Sequence, residues 1–370
     1  MAPSKLGLGM IGANVGYGWG MRAHLPALAA LPDYDLVAVC TAHRETAEAA
    51  AQRYGARKAY WDYQALVHDP EVQVVDVCVR VPLHYEMVLA ALRAGKHVYC
   101  EWPLGANTAQ AEELAALARQ QGVRTMVGLQ ARAAPSVLRL RELIAEGYVG
   151  QVLAATMTQF LPGILRPRPG RAAWSAAREA GAHVLSIAAG HALDLLCYAV
   201  GEFGDLSASV NTQVAHWPLS DADQPAPVTS PDNVLIAGRL TSGAVASVHI
   251  ASIPWHGSAF RMEVYGTEGT LVATSDQMAQ FVDLRLRGGR CDESALDDLA
   301  VPERLRWVPG EVPAGVPLNV AQMLARLAQG IRTGEEVSPD FTEAARRHRL
   351  LDAIQRAADT RGWVSLASGA

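Results

Sequence analysis

Two histidines and an aspartate, His183, His191 and Asp194, stand in one apolar run, "GAHVLSIAAGHALDLL". Read as a single helix, the spacing puts His183, Ile187 and His191 on one face, with the imidazoles about 12 Å apart along the axis. That is too far for both to hold one metal ion, and the i, i+4 pair of a helical zinc site is missing, so no metal is expected here. The chemistry open to them is proton transfer, because imidazole titrates near neutral pH and Asp194, three residues beyond His191, is within reach to orient its tautomer. The bland alternative is a histidine satisfied inside the core.

Other residues offer binding. "RPRPGRAAW" gathers Arg166, Arg168, Arg171 and Trp174, a basic loop that can grip a sugar bearing a carboxylate, phosphate or sulfonate, or else a solvated loop. "GLQARAAP" presents Gln130 and Arg132, candidates for hydroxyl or anion binding, with a domain-interface salt bridge as the alternative for Arg132.

Near the start, "GLGMIG" fits G-x-G-x-x-G, but most of it lies inside a strand, whereas a phosphate turn follows the strand. The working turn is "GANVGYGWGMRAHLPAL", in which Gly12, Asn14, Gly16, Gly18, Trp19 and Gly20 let a pyrophosphate approach the backbone at a helix N-terminus. The second strand ends in "CTAHRET", with Thr41, His43 and Arg44 where a carboxylate would accept a ribose 2′-hydroxyl. Neutral and basic groups there tolerate a 2′-phosphate, so the cofactor expected is NAD(P) with a lean to NADP; a merely solvated Arg44 is the alternative.

The elements that must position these residues alternate. Strand candidates at 6–12, 35–41, 72–79, 97–101 and 124–129 are separated by "HRETAEAAAQRYG", "PLHYEMVLAALRAG" and "NTAQAEELAALARQQG", each rich in helix formers and closed by glycine. The pattern predicts an α/β chain opening with a doubly wound parallel sheet over 1–130. From 131 to 370 the rhythm changes to a helix, a strand near 151–160, a long helix at about 182–200, then alternating strands with tight turns such as Ser242-Gly243. That second domain reads as α+β with a large, mostly antiparallel open sheet. The segment 220–232 reads as a surface loop, and amphipathic helices at 318–334 and 341–360 close the chain.

With 370 residues, half of them apolar, two cores are the natural expectation. A net charge of −5 gives no reason to expect nucleic acid or an anionic membrane. The five cysteines are odd in number and lack C-x-x-C spacing, which argues against zinc knuckles and disulfides and favours a reducing cytoplasm. No signal peptide or membrane span is expected.

The stretch "VRVPLHYEMVLAALRAGKHVYCEWPLG" resembles the signature of the glucose-fructose oxidoreductase, inositol dehydrogenase and rhizopine-catabolism family, usually x-P-x-x-H, A-G-K-H-V and E-K-P. Pro82, His84, Gly95, Lys96, His97, Val98, Glu101 and Pro103 match. "GYVGQV", "GHALDLLCYAVG", "GTEGTL" and "DFTEAARRHRLLDAIQ" extend the likeness over nearly the whole chain. The resemblance implies a Rossmann domain, then a domain carrying the substrate pocket and often the oligomer interface. It places nicotinamide near Val81, Pro82, His84, Glu101, Trp102 and Gln130, and His191 in the substrate pocket, with His183 close by. Where the family has its proton-transferring lysine stands Trp102, whose indole has one N–H donor and no basic lone pair. It can stack on a sugar or nicotinamide face instead. Within the family the chain is most similar to the subgroup containing the fungal galactose-regulon repressor.

Three functions are consistent with this reading. The first is a dehydrogenase moving hydride between a sugar or polyol hydroxyl and NAD(P), the second a glycoside hydrolase that oxidises its sugar transiently, the third a nucleotide-sensing regulator without turnover. The partners expected are a small carbohydrate and a second copy of the chain, as a dimer or tetramer formed through the second-domain sheet, with no nucleic acid and no membrane.

Overall fold

Runs of buried residues build the first sheet. β1 (Leu6–Ile11) is buried at all six positions, as is usual for a parallel strand covered on both faces. In the computed structural model, which describes residues 4–366, a π turn over Gly20–His24 leads into α1 (Leu25–Ala30). There follow β2 (Tyr34–Cys40), α2 (Arg44–Tyr54), β3 (Lys58–Tyr60), α3 (Tyr63–Val67), β4 (Val74–Val77), α4 (His84–Arg93), β5 (His97–Glu101), α5 (Thr108–Gln121) and β6 (Thr125–Gly128). The six strands are parallel in the order β3-β2-β1-β4-β5-β6. This is the doubly wound sheet that the alternation predicts, with one strand more. β3, "KAY", is three half-buried residues, too short to register as an apolar run.

The second unit begins with α6 (Pro135–Ala145) and β7 (Val152–Pro162). The predicted long helix at 182–200 is two pieces, a π-helical segment over Val184–Ala189 and α7 (Gly190–Ala199). The run 178–199 is long and apolar enough to cross a membrane, but 78% of that window is buried within the protein, as in a core helix. Then come β8 (Phe203–Asn211), β9 (His216–Trp217), β10 (Ala226–Pro227), β11 (Asn233–Leu240), β12 (Val245–Ile253), β13 (Ala259–Gly266), β14 (Gly269–Ser275), β15 (Arg285–Arg290) and β16 (Asp297–Asp298). β7, β8, β11 to β16 and β17 (Val364–Ser365) form a nine-stranded sheet, order β16-β15-β14-β13-β7-β12-β11-β8-β17, while β9 and β10 pair with each other in a sheet of their own. Only β7 and β12 pair in parallel among the described strands of that sheet.

The segment 220–232 is only partly a surface loop. Val228, Ser230 and Asp232 are buried, and Asp232 accepts backbone N–H groups of Gln213 and Val214 at 2.8–2.9 Å. Val228 joins Ile164, Ala176 and Trp217 in a small core beside the paired β9 and β10.

By its contacts the chain divides into Met1–Ala133 with Trp307–Arg346, and Ala134–Arg306 with Arg347–Ala370. This corrects the expectation that everything after residue 130 belongs to the second domain. The reason is α8 (Val316–Thr333), whose Val320, Leu324 and Leu327 join the core of Leu25, Leu28 and Leu31. α9 (Phe341–Thr360) begins in the first unit and ends in the second.

Candidate active site

In the first unit the chain leaves β1 at Gly12, whose φ is +102° and where a Cβ would lie 2.1 Å from the Cys78 carbonyl oxygen. No other residue fits without moving the chain that leaves β4. The Asn14 side chain accepts the Gly16 N–H at 2.8 Å and so shapes the turn from within. Gly18 also has a left-handed φ, +103°, yet a Cβ there would meet nothing within 4 Å. The turn is therefore tight at its base and open at its tip, followed by a helical turn flanked by Trp19 and Arg22, whose guanidinium lies 5.8 Å from the indole. A phosphate group fits such a turn, because exposed backbone N–H groups and a helix start both favour an anion.

At the end of β2, Thr41 Oγ1 contacts Thr46 Oγ1 at 2.6 Å and donates to the His43 carbonyl. His43 precedes α2 in an extended conformation and is exposed. Arg44 is exposed in the first turn of α2. It pairs with Glu48 at 2.8 Å and lies 5.3 Å from the ring of Trp61, an exposed indole that sequence reasoning missed. Trp61 directly follows β3.

The other edge of the sheet is held by two buried histidines. His84 Nδ1 lies 2.7 Å from the Pro103 carbonyl and Nε2 3.1 Å from that of Val79. Both partners only accept, and burial pushes the His84 pKa down, so a neutral ring donates to one of them at a time. It staples the loop after β5 to the loop after β4, with Val81 buried and Pro82 exposed beside it.

The second of them, His24, ends the π turn. Fully buried, it sets Nδ1 2.7 Å from Asp76 Oδ2 and Nε2 2.8 Å from Glu101 Oε1. Burial pushes its pKa down, but the neighbouring Asp76 and Cys78 together outweigh that, and the ring binds its proton well above the ordinary histidine range. The Tyr99 ring meets it edge-on at 5.2 Å. Gly128 makes room for Glu101, since a Cβ there would lie 2.7 Å from the carboxylate. The signal available was Asp76 itself, a carboxylate inside the apolar strand "VVDV" that has to be paired if buried.

Trp102 is only 4% exposed, so its faces are covered in this structure. Gln130 is buried in a short turn over Gln130–Ala133. Arg132, expected to bind a hydroxyl or an anion, is buried and turned to Glu343 at 2.8 Å and Ser338 at 3.3 Å, an ion pair internal to the first unit.

In the second unit His183 stands outside the helix that carries His191. His183 is the cap of the π segment, with φ −143° and ψ −178°, and its Nδ1 accepts the Ser186 N–H at 3.2 Å. That bond places the proton on Nε2, and burial lowers its pKa to about 4. His183 is thus a neutral hydrogen-bond donor and not a base. His191 is buried in the first turns of α7. Asp194 lies 3.4 Å from the buried Arg347, which also pairs with Glu202. Of the basic loop, Arg166 and Arg171 are exposed and Trp174 half-buried, whereas Arg168 donates to the Ile164 carbonyl and lies 3.9 Å over Trp217. Arg168 thereby closes the small loop core.

A parallel sheet in this strand order, with a glycine turn at the point where the order reverses, defines a dinucleotide-binding α/β protein. Residues 8–129 match the model of an oxidoreductase family with an NAD-binding Rossmann fold, and residues 135–275 match that of the Gal80p C-terminal domain. The chain is 30% identical over 362 residues to an uncharacterized oxidoreductase of Synechocystis, covering 96% of this chain and 95% of that protein. It is 26% identical to the levoglucosan dehydrogenase of Pseudarthrobacter phenanthrenivorans, over 98% of each. A solved levoglucosan dehydrogenase, in complex with NADH and levoglucosan, superposes with TM-score 0.84 at 25% identity, over 99% of this chain and 100% of that one. The galactose/lactose regulatory protein of Saccharomyces cerevisiae is 27% identical over 254 residues, 64% of this chain and 58% of that protein. The chain belongs to the glucose-fructose oxidoreductase, inositol dehydrogenase and rhizopine-catabolism family of NAD-binding oxidoreductases.

Proposed function

We propose that the protein is a dehydrogenase acting on a hydroxyl of a sugar, sugar derivative or polyol. The observation that carries this reading is the glycine turn, tight at Gly12 and open at Gly18, in a chain aligned end to end with a sugar dehydrogenase. Gly12 to Gly20 hold the pyrophosphate, Thr41, His43 and Arg44 the adenosine end, and Val81, Pro82 and Glu101 the nicotinamide end, with the buried His84, Trp102 and Gln130 supporting those loops. The nicotinamide supplies the hydride acceptor or donor. What the chain must supply is a site for the hydroxyl proton. Trp102 has no lone pair for it, and the Nδ1 lone pair of His183 is occupied by Ser186. His191, which the family resemblance places in the substrate pocket, is assigned as the base, with His183 donating a hydrogen bond to a substrate oxygen through Nε2. Arg166, Arg171 and Trp174 are the residues of the basic loop left for an anionic or ring-bearing substrate. The lean to NADP rests on Arg44 and on the absence of a carboxylate among Thr41, Ala42, His43 and Arg44.

The test releases and identifies any copurifying nucleotide, then follows nicotinamide absorbance and sugar products together across sugars and glycosides. Net reduction with an oxidised sugar is expected, and His191→Ala should lower kcat by about 10²- to 10⁴-fold with nucleotide affinity nearly unchanged. Retained turnover would remove His191 from the role. Cleavage of glycosides without net reduction would point to the redox-cycling hydrolase. Binding without turnover would favour a regulator, a reading supported by the match of residues 135–275 to the Gal80p domain.

A further inference from the structure

The buried cluster of Asp76, His24 and Glu101 brings two residues that the proposed chemistry does not use, His24 and Asp76, to the Glu101 carboxylate of the nicotinamide end. Asp76 comes from within β4, Glu101 is the last residue of β5, and His24 ends the π turn that follows the glycine turn. At 2.7 and 2.8 Å, with both partners carboxylates, the ring donates from both nitrogens and holds the two acids to one imidazolium. Two buried carboxylates and one imidazolium sum to a single negative charge. The cluster has one opening, for the side chains of His24 and Asp76 are 0% exposed and that of Glu101 is 11% exposed.

We propose that His24 is a positioning residue which fixes the Glu101 carboxylate at the end of β5 and leaves the cluster one net negative charge, biasing the site toward the oxidised, cationic form of the dinucleotide. This deepens the dinucleotide reading above and rests on it. The physical basis is that an oxidised nicotinamide ring carries a positive charge and a reduced one none, while dinucleotides bind at the carboxyl ends of strands such as β4 and β5.

The surrounding groups leave the charge fixed near neutral pH. The Cys78 thiol is pushed up to about 11 by burial, and burial likewise raises the Tyr99 and Cys100 pKa values. His84, close to Glu101, is kept neutral by burial. α8 packs on the same π turn, and its buried positions are apolar or amide, with no charged residue among them.

The experiment measures the dissociation constants of the oxidised and reduced dinucleotide, in whichever of the NAD and NADP pairs binds, at pH 7, 8 and 9. Wild type should give a ratio that is flat with pH. Glu101→Gln should shift the ratio toward the reduced form by about 3- to 10-fold, the scale of a charge interaction at an effective dielectric near 20. His24→Gln keeps a donor for Glu101 but removes the positive charge beside it, so the ratio should move the other way, toward the oxidised form. A merely structural histidine would lower thermal stability and leave the ratio alone. An unchanged ratio in Glu101→Gln, or a ratio in His24→Gln that favours the oxidised form no more than wild type does, would overturn the proposal, and if His24→Gln does not fold, Glu101→Gln decides. Wild-type protein that binds neither form would overturn the dinucleotide reading itself.

Discussion

At the scale of single residues, the edge of the first sheet is shaped by what each side chain can donate. Glu101 and Pro103 keep the family pattern, and Trp102 puts an indole between them that neither accepts nor releases a proton at neutral pH. Arg44 shows how a surface charge acquires a fixed position, through Glu48 on the next turn of its helix and the ring of Trp61. Both are exposed contacts, worth little to stability but enough to aim the guanidinium. Arg44→Ala should therefore weaken NADP by about 10-fold or more, the scale of a lost charge-assisted hydrogen bond, and leave NAD within about 2-fold. Equal losses for the two nucleotides, measured by fluorescence titration, would sink the assignment. Arg44 was legible in the sequence because it follows a strand end at a known offset. Trp61 and Asp76 were not, since their roles depend on contacts with Arg44 and His24, 17 and 52 positions away in the chain.

At the scale of elements, both units carry a π segment beside a candidate site, Gly20–His24 in one and Val184–Ala189 in the other. An extra residue per turn changes which side chains share a face, and such segments recur at functional sites. The spacing of His183 and His191 suggested one face of a single helix, but His183 is the extended cap of the π segment and only His191 lies within α7. The glycine turn allows a sharper prediction. Gly12→Ala must accept both a left-handed φ and a clash with the Cys78 carbonyl, so it should cost about 2–4 kcal/mol of stability and abolish nucleotide binding. Gly18→Ala has only the φ to accept, and should cost about 1–2 kcal/mol with binding reduced. Urea denaturation and nucleotide titration of the two variants check the order, and the reverse order would mean that the turn is held differently from what is described here.

At the scale of the molecule, the nine-stranded sheet leaves one face with exposed apolar side chains. Val245 and Tyr265 are both paired across from Ala154, which puts them on the same side, and they are 58% and 38% exposed. Leu235, opposite His249, is on that side too and 47% exposed. Apolar groups clustered on an open sheet favour association, and we infer that a dimer or tetramer forms through this face. Val245→Lys should shift the mass measured by light scattering toward the monomer while the thermal midpoint of the second unit changes little. An unchanged mass would place the interface elsewhere, or show that none exists.

The sequence by itself determined the alternation of strands and helices, the glycine turn, the family signature and the absence of its lysine. These are local, set by side-chain periodicity, by backbone freedom and by residues a few positions apart. Only the tertiary structure decided that 307–346 folds with the first unit, that Arg132 is committed to Glu343, that Asp194 meets Arg347, and that His24 joins Asp76 to Glu101. Each of these is a pairing of charges, or a burial of apolar surface, between segments far apart in the chain. A buried charge must find its partner wherever the fold brings one, and spacing along the sequence does not say where that is.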